Sequence, residues 1–532
     1  MRKLTAVLLT GIITAGLVAG CGASGEQAQQ SASQTEEAAS AGNAEQGENS
    51  AVTDDASASE GASSADAANA DNAEAAGTVS PGTEIASEEE IVPEGAVFNI
   101  YCIGEDFKSR VQDYFPDYEL TGDDSGMIGQ TRVRWHVYSD VQEYRDELDE
   151  MLDEQTDQHD EGGPSAMDAD ERIDLFVVDE AFLADYVESE YSLDVIGKIG
   201  IAPEELSDQF PYTQEMATDS EGRLKAVTWQ ATPGVFAYRR SIARRVLGTD
   251  DPQKVQEAVA DWEKFAETAE AAKENGYYML SGFEDAYQVY ADNVSSAWVE
   301  DGTLNIDPHL EEWAEQTREF YENDYTHGTA QWSDEWRRDH TGDGEVFGFF
   351  YSSWGIQYTL QNKAEGENGS EEEEEESGED SDVASAAGDY AVCMGPEPSH
   401  FGGQWIIAAA GGDNRELAGQ VMRTLTCDPV LMKKITEEIR EFTNTVSGME
   451  ELAQSDYKVK LLGRQNPLPV YVESARRLSK KHTTAYDDDL SLGFKVTMQD
   501  YIPGKASLED TLDLFRKTAL ARYEELEEPE ED

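Results

Sequence analysis

From about residue 96 to the C-terminus, short apolar runs alternate with longer stretches in which apolar residues recur at helical spacing. The run Ile173–Asp179 is nearly continuous in apolar residues, which is typical of a strand buried on both faces of a parallel sheet. Amphipathic stretches at 107–115 and 144–152 follow the first two strand-like runs. The order strand, helix, strand, helix predicts a layered α/β fold.

The same pattern predicts the elements of the whole body. Strands are predicted at 98–103, 131–138, 173–179, 225–228, 235–238, 346–351, 390–394 and 405–410. Helices are predicted at 107–115, 144–152, 181–186, 241–247, 255–275, 313–321 and 415–424, before a mostly helical C-terminal part. Ligands of such sheets bind beyond the carboxyl ends of the strands, which here are 104–106 and 179–180.

The net charge of the chain limits the classes of partner that it can bind. The chain has 532 residues, with 39 Lys and Arg against 112 Asp and Glu, and a net charge of −73. Such a surface repels phosphates, so we expect no nucleic-acid partner, and adhesion to anionic lipid by charge alone is disfavoured. Much of the acidity lies outside the two acidic segments described next. It indicates either a solvated surface or the attraction of a cationic substrate.

Two segments lack the side chains for a core. Residues 22–95 contain sixteen acidic residues and no Lys or Arg. Burial therefore cannot offset the entropy of ordering them, and we interpret 21–95 as a disordered acidic tether. Residues 361–382 contain eleven acidic residues and one Lys, and we interpret them as a disordered Glu-rich loop. Calcium capture by its run 371–376 is less favoured than solvation, because the alternating ligands and Gly turn of a calcium loop are missing.

The N-terminus resembles a bacterial lipoprotein signal. Arg2 and Lys3 precede an apolar run over 4–20, which is shorter and richer in Gly than a membrane span of about 20 residues. The run ends in small residues before Cys21, which is similar to the lipobox. The resemblance implies a signal peptide at 1–20, diacylation of the Cys21 thiol with palmitate as a lipid, and retention on the extracellular face of the cell membrane. An ordinary signal peptide with a chance Cys is the alternative.

The other cysteines are Cys102, Cys393 and Cys427, so at most one intramolecular disulfide can form. The sequence leaves open whether Cys393 and Cys427 form it. Cys102 and Cys393 lie in strand-like runs, where a Cys most often acts as a small buried hydrophobe. The sequence contains no CxxC, HExxH, GxSxG or Walker-type loop. We therefore expect no metal site, no cofactor, no catalytic residue and no enzyme activity.

Four stretches together resemble a known family. Residues 174–179 read DLFVVD, 225–229 and 235–241 read KAVTW and VFAYRRS, 344–354 read GEVFGFFYSSW, and 402–408 with 414–418 read GGQWIIA and NRELA. In this order, over about 97–525, they resemble the extracellular solute-binding proteins of bacterial ABC importers, in the carbohydrate-binding, maltose-binding-protein-like group. The chain departs from that family in its Glu-rich insertion and in the loop after the first strand, which lacks the usual polar-aromatic pattern.

The resemblance implies a two-lobed α/β fold of the periplasmic-binding-protein type II, with discontinuous lobes, a hinge and a ligand cleft between them. Lobe 1 would comprise 96–236 and 388–428, and lobe 2 would comprise 237–387 and 429–532. The resemblance further implies a monomer that closes on a small carbohydrate and delivers it to ABC transporter permease subunits.

A sugar needs aromatic platforms for its C–H face, and carboxylate, amide or guanidinium groups for its hydroxyls. Side chains of these types lie on the strand ends and on the connection between the lobes. The predicted ligand-binding set is Tyr101, Asp106, Asp179, Glu180, Trp229, Gln230, Trp298, Trp354, Gln404 and Trp405. A core position is the alternative for Trp354 and Trp405, and a helix N-cap with a first-turn acid is the alternative for Asp179 and Glu180.

Other functions stay open beside sugar capture. The same fold could bind a polyamine or a peptide, for which the acidic body is the argument. A secreted hydrolase would turn over a glycan. A surface adhesin or sensor would lack neighbouring permease genes.

Overall fold

The computed structural model describes residues 96–156, 167–331, 333–360 and 385–528. The predicted signal peptide at 1–20, the acidic tether at 21–95 and the Glu-rich loop at 361–382 lie outside these residues.

Strands and helices of the described residues are numbered in chain order. The strands are β1 (Val97–Ile103), β2 (Tyr118–Gly122), β3 (Ser125–Ile128), β4 (Thr131–Tyr138), β5 (Ile173–Asp179), β6 (Ala226–Val227), β7 (Pro233–Arg239), β8 (Val299–Glu300), β9 (Thr303–Leu304), β10 (Gly348–Ser352), β11 (Tyr390–Cys393), β12 (Ser399–His400) and β13 (Gln404–Ala408). The helices are α1 (Asp106–Tyr114), α2 (Val141–Thr156), α3 (Glu180–Val187), α4 (Pro203–Leu206), α5 (Pro211–Met216), α6 (Arg240–Val246), α7 (Pro252–Ala258), α8 (Trp262–Glu274), α9 (Tyr287–Ala291), α10 (Pro308–Glu322), α11 (Asp334–Asp339), α12 (Ser353–Gly355), α13 (Arg415–Cys427), α14 (Pro429–Ile439), α15 (Val446–Ala453), α16 (Leu468–Arg477), α17 (Asp487–Tyr501) and α18 (Leu508–Arg522). A 3-10 turn covers Ala169–Glu171, and a π-helical turn covers Ile356–Leu360.

Strands β1, β4 and β5 form the parallel centre of the first sheet. β1 pairs in parallel with β4 on one side and with β5 on the other. The sheet order is β2-β3-β4-β1-β5-β13-β6, and β13 runs antiparallel to both β5 and β6. Six of the seven β5 residues are buried. The interpretation of 173–179 as a strand covered on both faces is therefore confirmed.

Strand β7 is the centre of the second sheet. β10, β11 and β12 all pair with it in antiparallel orientation. Alternate β7 residues point to opposite faces. Phe236 and Tyr238 belong to a hydrophobic cluster with residues of α8, α10 and α17, whereas Val235 and Ala237 belong to the cluster that contains the first sheet and α16. Two sheets, each covered by helices, form the two-lobed α/β fold that the sequence predicts.

The C-terminal helices divide between the two hydrophobic clusters. Apolar residues of α14, α15 and α16 pack in the cluster of the first sheet, while those of α17 and α18 pack in the cluster of α8 and α10. The residue boundaries of the lobes stay a prediction.

The prediction of one continuous helix over 255–275 is wrong. α7 ends at Ala258 and α8 begins at Trp262. The Asp261 side chain accepts a hydrogen bond from the Lys264 backbone N–H at 2.8 Å and so caps the start of α8. A local side-chain hydrogen bond of this kind competes with helix continuation, which the apolar periodicity alone does not reveal.

The apolar pattern also failed to indicate the hairpin of β2 and β3 at the edge of the first sheet. Four of the five β2 residues are exposed, so this strand has no buried face and no alternation to detect. It is held by backbone pairing to β3, which in turn pairs with β4.

All three cysteines of the described residues are free thiols, so Cys393 and Cys427 are not bonded. Cys102 and Cys393 are buried, as predicted, and burial raises the pKa of the Cys393 thiol to about 12. Within the described part of the chain, no three His, Cys, Asp or Glu side chains are grouped to hold a metal ion. No described helix combines the length and apolar character needed to cross a bilayer.

Candidate ligand-binding site

The carboxyl ends of β1 and β5 place three acidic residues at one edge of the first sheet. Asp106 begins α1, Asp179 ends β5 and Glu180 begins α3. These ends lie together because β1 and β5 are parallel neighbours. β13 runs the opposite way, so its first residue, Gln404, pairs with Asp179. Four of the predicted ligand-binding residues therefore share this edge.

A row of hydrogen bonds runs along the edge. Nε2 of Gln404 donates to Oδ1 of Asp179 at 2.8 Å. Gln230 extends the row when its amide is oriented so that both its nitrogen and its oxygen have a hydrogen-bond partner. Its amide nitrogen then donates to Oε1 of Glu441 at 3.0 Å, and its oxygen accepts from the Gln404 backbone N–H at 2.9 Å. We call Asp179, Gln404, Gln230 and Glu441 the polar row. It joins four segments that are distant in the sequence.

Three side chains converge on Glu441. Its carboxylate accepts a hydrogen bond from Nε1 of Trp229 at 3.2 Å and forms an ion pair with Arg110, in addition to its bond with Gln230. The Arg110 guanidinium lies 5.1 Å from the centre of the Trp229 ring, which also stacks on Phe107 at 5.3 Å. The Arg110 side chain is 5% exposed and that of Glu441 is 11% exposed. The ion pair is therefore largely removed from water, where losing either partner is costly.

Two of the three carboxyl groups at this edge have pKa values raised by burial. Burial raises the pKa of Asp106 against the opposing effect of Arg110, and it raises the pKa of Asp179 against the hydrogen bond from Gln404. The charge of Asp106 raises the pKa of Asp179 further. A ligand that donates hydrogen bonds to these groups would favour their ionised forms. The edge is thus suited to accept hydroxyl or amine donors.

Glu180 connects the first sheet to the return segment 394–403, which leads from β11 back to β13. Its Oε1 lies 3.1 Å from Nδ1 of His400, and its Oε2 accepts from the Gly402 backbone N–H at 2.6 Å. The His400 backbone N–H donates to Asp292, which also pairs with Lys480. Burial would raise the pKa of Glu180, but His400, Lys480 and the Gly402 N–H outweigh it and lower that pKa. Glu180 is therefore a carboxylate already engaged by the protein.

Trp354 and Phe401 form an accessible aromatic pair beside the polar row. Their ring centres are 6.3 Å apart at an interplanar angle of 26°, and Nε1 of Trp354 donates to the Phe401 carbonyl at 3.0 Å. Phe401 is 52% exposed, and Trp354 is half-buried. Gly402 permits this approach, since its φ is +71° and a Cβ there would lie 2.9 Å from Nε1 of Trp354. The same Gly402 binds Glu180, so the rings and the acidic edge meet at one residue.

The remaining predicted residues are used in packing. Tyr101 is 3% exposed and stacks on His136 with ring centres 4.1 Å apart. Trp298 is 7% exposed and lies in the cluster of the second sheet. Trp229 and Trp405 are each 1% exposed, so they pack in the core and present no accessible ring surface. The structure does not bring Tyr101 or Trp298 to the edge, because the sheet face and the helical core already enclose them.

Comparison with protein-family models matches residues 163–460 to the family described as bacterial extracellular solute-binding protein. The matched residues make up more than half of the chain. The chain is a bacterial extracellular solute-binding protein. The family consists of binding proteins rather than enzymes, and it acts outside the cytoplasm, in the extracellular space or the periplasm.

Solved structures share the fold of this solute-binding protein. An extracellular solute-binding protein of family 1 has a TM-score of 0.63 and 14% identity over 80% of this chain and 98% of that one. The sugar-binding protein MalE from Xanthomonas citri has a TM-score of 0.56 and 12% identity, over 80% and 98% of the two chains. The galacto-N-biose-/lacto-N-biose I-binding protein from Bifidobacterium longum has a TM-score of 0.53 and 13% identity, over 80% and 97%. At such identities these likenesses establish the fold alone. No curated protein matches the chain.

The family resemblance seen in the sequence of this solute-binding protein is confirmed. Its four stretches also have a common location. The stretch 174–179 ends at the acidic edge, and 225–229 ends directly before Gln230. The stretch 344–354 ends at Trp354, and 402–408 begins at Gly402. Each stretch therefore delivers residues to one region between the two sheets.

Several residues of this region in the solute-binding protein were not predicted from the sequence. Arg110 lies one helical turn after Asp106 on α1, and Phe401 precedes the Gly402–Gly403 pair, so local signals existed for both. Glu441 offered none, because its partners Trp229 and Arg110 are 212 and 331 residues away. Only the fold makes that acid distinct from the many others.

Proposed function

We propose that this solute-binding protein captures a sugar or oligosaccharide at the edge of the first sheet and delivers it to the permease of an ABC transporter. One observation carries the proposal, namely the position of the accessible Trp354–Phe401 pair beside the polar row. A sugar ring packs its C–H face on a flat aromatic surface while its hydroxyls bond to carboxylates and amides. Both kinds of group lie within a few residues of Gly402.

Structural relatives support a carbohydrate ligand. The relative from Xanthomonas citri is a sugar-binding protein, and the relative from Bifidobacterium longum was solved in complex with lacto-N-biose. The chemistry of the edge fits the same class, since raised pKa values mark Asp106 and Asp179 as groups that gain from hydrogen-bond donors.

The polar row would present its groups in a fixed geometry. Asp179 holds the Gln404 side chain, and Glu441 holds Gln230 and Trp229. Side chains that are already oriented lose little conformational freedom when a ligand arrives, which favours affinity. We therefore assign these residues to binding and not to chemistry on the sugar.

We further propose that closure of the lobes completes the site. Trp354 follows β10 of the second sheet, whereas the polar row belongs to the edge of the first sheet. Movement about the connections at 228–232 and 401–403 would change the distance between ring and row. A ligand that contacts both would favour the closed arrangement, and a permease would recognise that arrangement.

A ligand screen tests the binding proposal. Thermal unfolding of the purified protein would be measured with mono- and oligosaccharides, and in parallel with spermidine and short peptides. At a ligand concentration of 100 Kd, a binding sugar adds about 2.7 kcal/mol of stability. The shift should weaken in Trp354→Ala by about tenfold in Kd, or about 1.4 kcal/mol. It should persist in Trp298→Phe, a matched change in the core.

Other outcomes would redirect the assignment. A shift with spermidine or a peptide, and none with any glycan, would replace the ligand class while keeping the binding function. Release of product from a glycan by the pure protein would replace capture with hydrolysis. Equal affinity of Trp354→Ala and the unchanged protein would remove Trp354 from the site.

We propose, finally, that Cys21 carries a lipid that holds the protein on the outer face of the cell membrane. The small residues before Cys21 support this. Cells fed an alkynyl palmitate should label the unchanged protein and Cys102→Ser, but not Cys21→Ser. Cys21→Ser should also leave the membrane fraction. Labelling that persists in Cys21→Ser would contradict the assignment.

A further inference from the structure

An exposed group of cations lies in the turn between α15 and α16. Lys458, Lys460 and Arg464 are all exposed, and the turn is closed by the bridge between Val459 and Gln465. Arg440, the exposed residue that ends α14, acts on the pKa of Tyr457 and so lies near the same turn. We call Lys458, Lys460, Arg464 and Arg440 the basic turn.

The basic turn is unusual in a chain with 112 acidic and 39 basic residues. Many exposed cations elsewhere pair with nearby acids, as Lys264 does with Asp261 and Arg522 does with Asp489. Among the described residues, no carboxylate forms an ion pair with any of the four cations of the basic turn. Three like charges on one turn, with a fourth nearby at the end of α14, repel each other, so an anionic partner would stabilise them.

Described residues on both sides of the Glu-rich segment 361–384 make contacts next to members of the basic turn. On the N-terminal side, Nε2 of Gln357, three residues before Leu360, donates to the Ile439 carbonyl at 2.6 Å, directly before Arg440. On the C-terminal side, the Gly388 backbone N–H, three residues after Ser385, donates to the Leu461 carbonyl at 3.0 Å, directly after Lys460. The chain before the segment thus lies next to Arg440, and the chain after it lies next to Lys460, two members of the basic turn.

We propose that the basic turn is the docking surface for this chain's own Glu-rich segment 361–384. The segment carries eleven acidic residues and one Lys within 361–382, which complements the four cations. The first acid of the segment, Glu365, is five residues after Leu360, and the last, Asp382, is three residues before Ser385. At roughly 3.5 Å per residue, these acids reach about 10–18 Å from the described ends. Tethering at both ends raises the local concentration of carboxylate, so contacts that are weak singly act together.

Zero-length crosslinking of the full chain tests the contact. A carbodiimide activates a Glu or Asp carboxyl, a Lys amine displaces the urea leaving group, and an isopeptide bond forms with net loss of water from the two side chains. We expect crosslinked peptides that join Lys458 or Lys460 to residues 361–384. The exposed Lys254 and Lys517 are the matched control amines. The basic-turn crosslinks should fall at least fivefold in 1 M NaCl, where the Debye length is about 3 Å.

A charge-neutral variant gives a second readout. In Lys458→Gln/Lys460→Gln/Arg464→Gln, a Glu-specific protease should cut the run 371–376 several-fold faster than in the unchanged protein. The control Lys254→Gln/Arg415→Gln/Lys517→Gln changes the net charge equally and should leave the cutting rate unchanged. Sugar-induced thermal stabilisation should persist in both variants, which separates this contact from the binding site.

Three results would overturn the docking surface. One is equal crosslinking of the Glu-rich segment to Lys254, Lys517 and the basic turn. Another is a crosslink yield that does not respond to salt or that falls on dilution, since dilution removes contacts between molecules. The third is equal proteolysis of the two triple variants.

Discussion

Gln404 and Asp179 are 225 residues apart in the chain, and Nε2 of Gln404 donates to Oδ1 of Asp179 at 2.8 Å. The antiparallel register of β13 on β5 sets this pair, because it places the first residue of one strand opposite the last residue of the other. The hydrogen bond lowers the pKa of Asp179 against the stronger effect of burial. One strand pairing therefore tunes an acidic group of the candidate site.

Replacing Gln404 by Leu should weaken sugar binding, and more strongly at pH 5 than at pH 8. Without the amide, the pKa of Asp179 rises further, so more of the carboxyl is protonated at pH 5 and cannot accept from a sugar hydroxyl. Calorimetric titration at the two pH values measures the change. The exposed Gln454→Leu serves as control. Equal losses of affinity at both pH values would show that Asp179 does not act as the acceptor.

Gly402→Ala should destabilise the protein by about 1–3 kcal/mol, because it combines a left-handed backbone with a contact against Trp354. Gly222 also lies at a φ of +81° but has no atom within 4 Å of a Cβ built there. Gly222→Ala therefore measures the destabilisation that comes from the left-handed backbone alone. Urea denaturation of both variants should give a larger loss for Gly402→Ala. Equal losses would mean that the Trp354 side chain moves away freely.

Removing the Glu441 carboxylate should lower the free energy of unfolding, because it leaves a buried charge unpaired. Glu441→Ala leaves Arg110 without its ion-pair partner and should cost about 3–5 kcal/mol of unfolding free energy. Arg110→Met should be costly for the same reason. The double variant should lose less than the sum of the two, because no lone charge remains. Chemical denaturation of the four proteins gives the coupling, and strict additivity would argue against the pair.

His136 should make stability depend on pH in mildly acidic solution. Burial lowers its pKa from the usual 6.5 to about 4, so between these values the unfolded chain binds a proton that the folded chain does not. Stability is therefore full above pH 6.5 and falls as the pH drops toward 4. With solvent screening we expect a loss of about 1–2 kcal/mol from this group.

The variant His136→Phe isolates that effect. It keeps a flat ring against Tyr101 and gives up the 3.3 Å contact of Nε2 with Asn99. Unfolding free energies at pH 7 and pH 4.5 should differ less for His136→Phe than for the unchanged protein. The many other acids titrate alike in both, so they cancel in the comparison. Identical pH dependence in the two proteins would place the His136 pKa near its usual value.

The predictability of the fold followed the strength of the local pattern. The continuous apolar run of β5 and the alternation in β4 were located correctly, because burial on a sheet leaves a direct signal in the sequence. The division of 255–275 and the exposed strand β2 were missed. In the first case a capping hydrogen bond decided the structure, and in the second case backbone pairing decided it.

The residues of the candidate site were likewise predictable only where a local pattern marked them. Asp106, Asp179, Glu180 and Gln404 lie at strand ends, where the rule for α/β sheets places ligands, and the structure brings them to one edge. Residue type alone did not distinguish Trp354, which is accessible, from Trp298 and Trp405, which are buried. An aromatic side chain suits a core and a sugar platform equally well.

By itself, the sequence determined the α/β order, the acidic surface, the family and the strand ends that carry polar groups, because each of these follows from residues close together in the chain. Tertiary structure alone decided the convergence on Glu441, the contact of Gly402 with Trp354, and the positions of Gln357 and Gly388 next to the basic turn. Those relationships join residues far apart in the chain. They depend on strand register and helix packing, which no local pattern specifies.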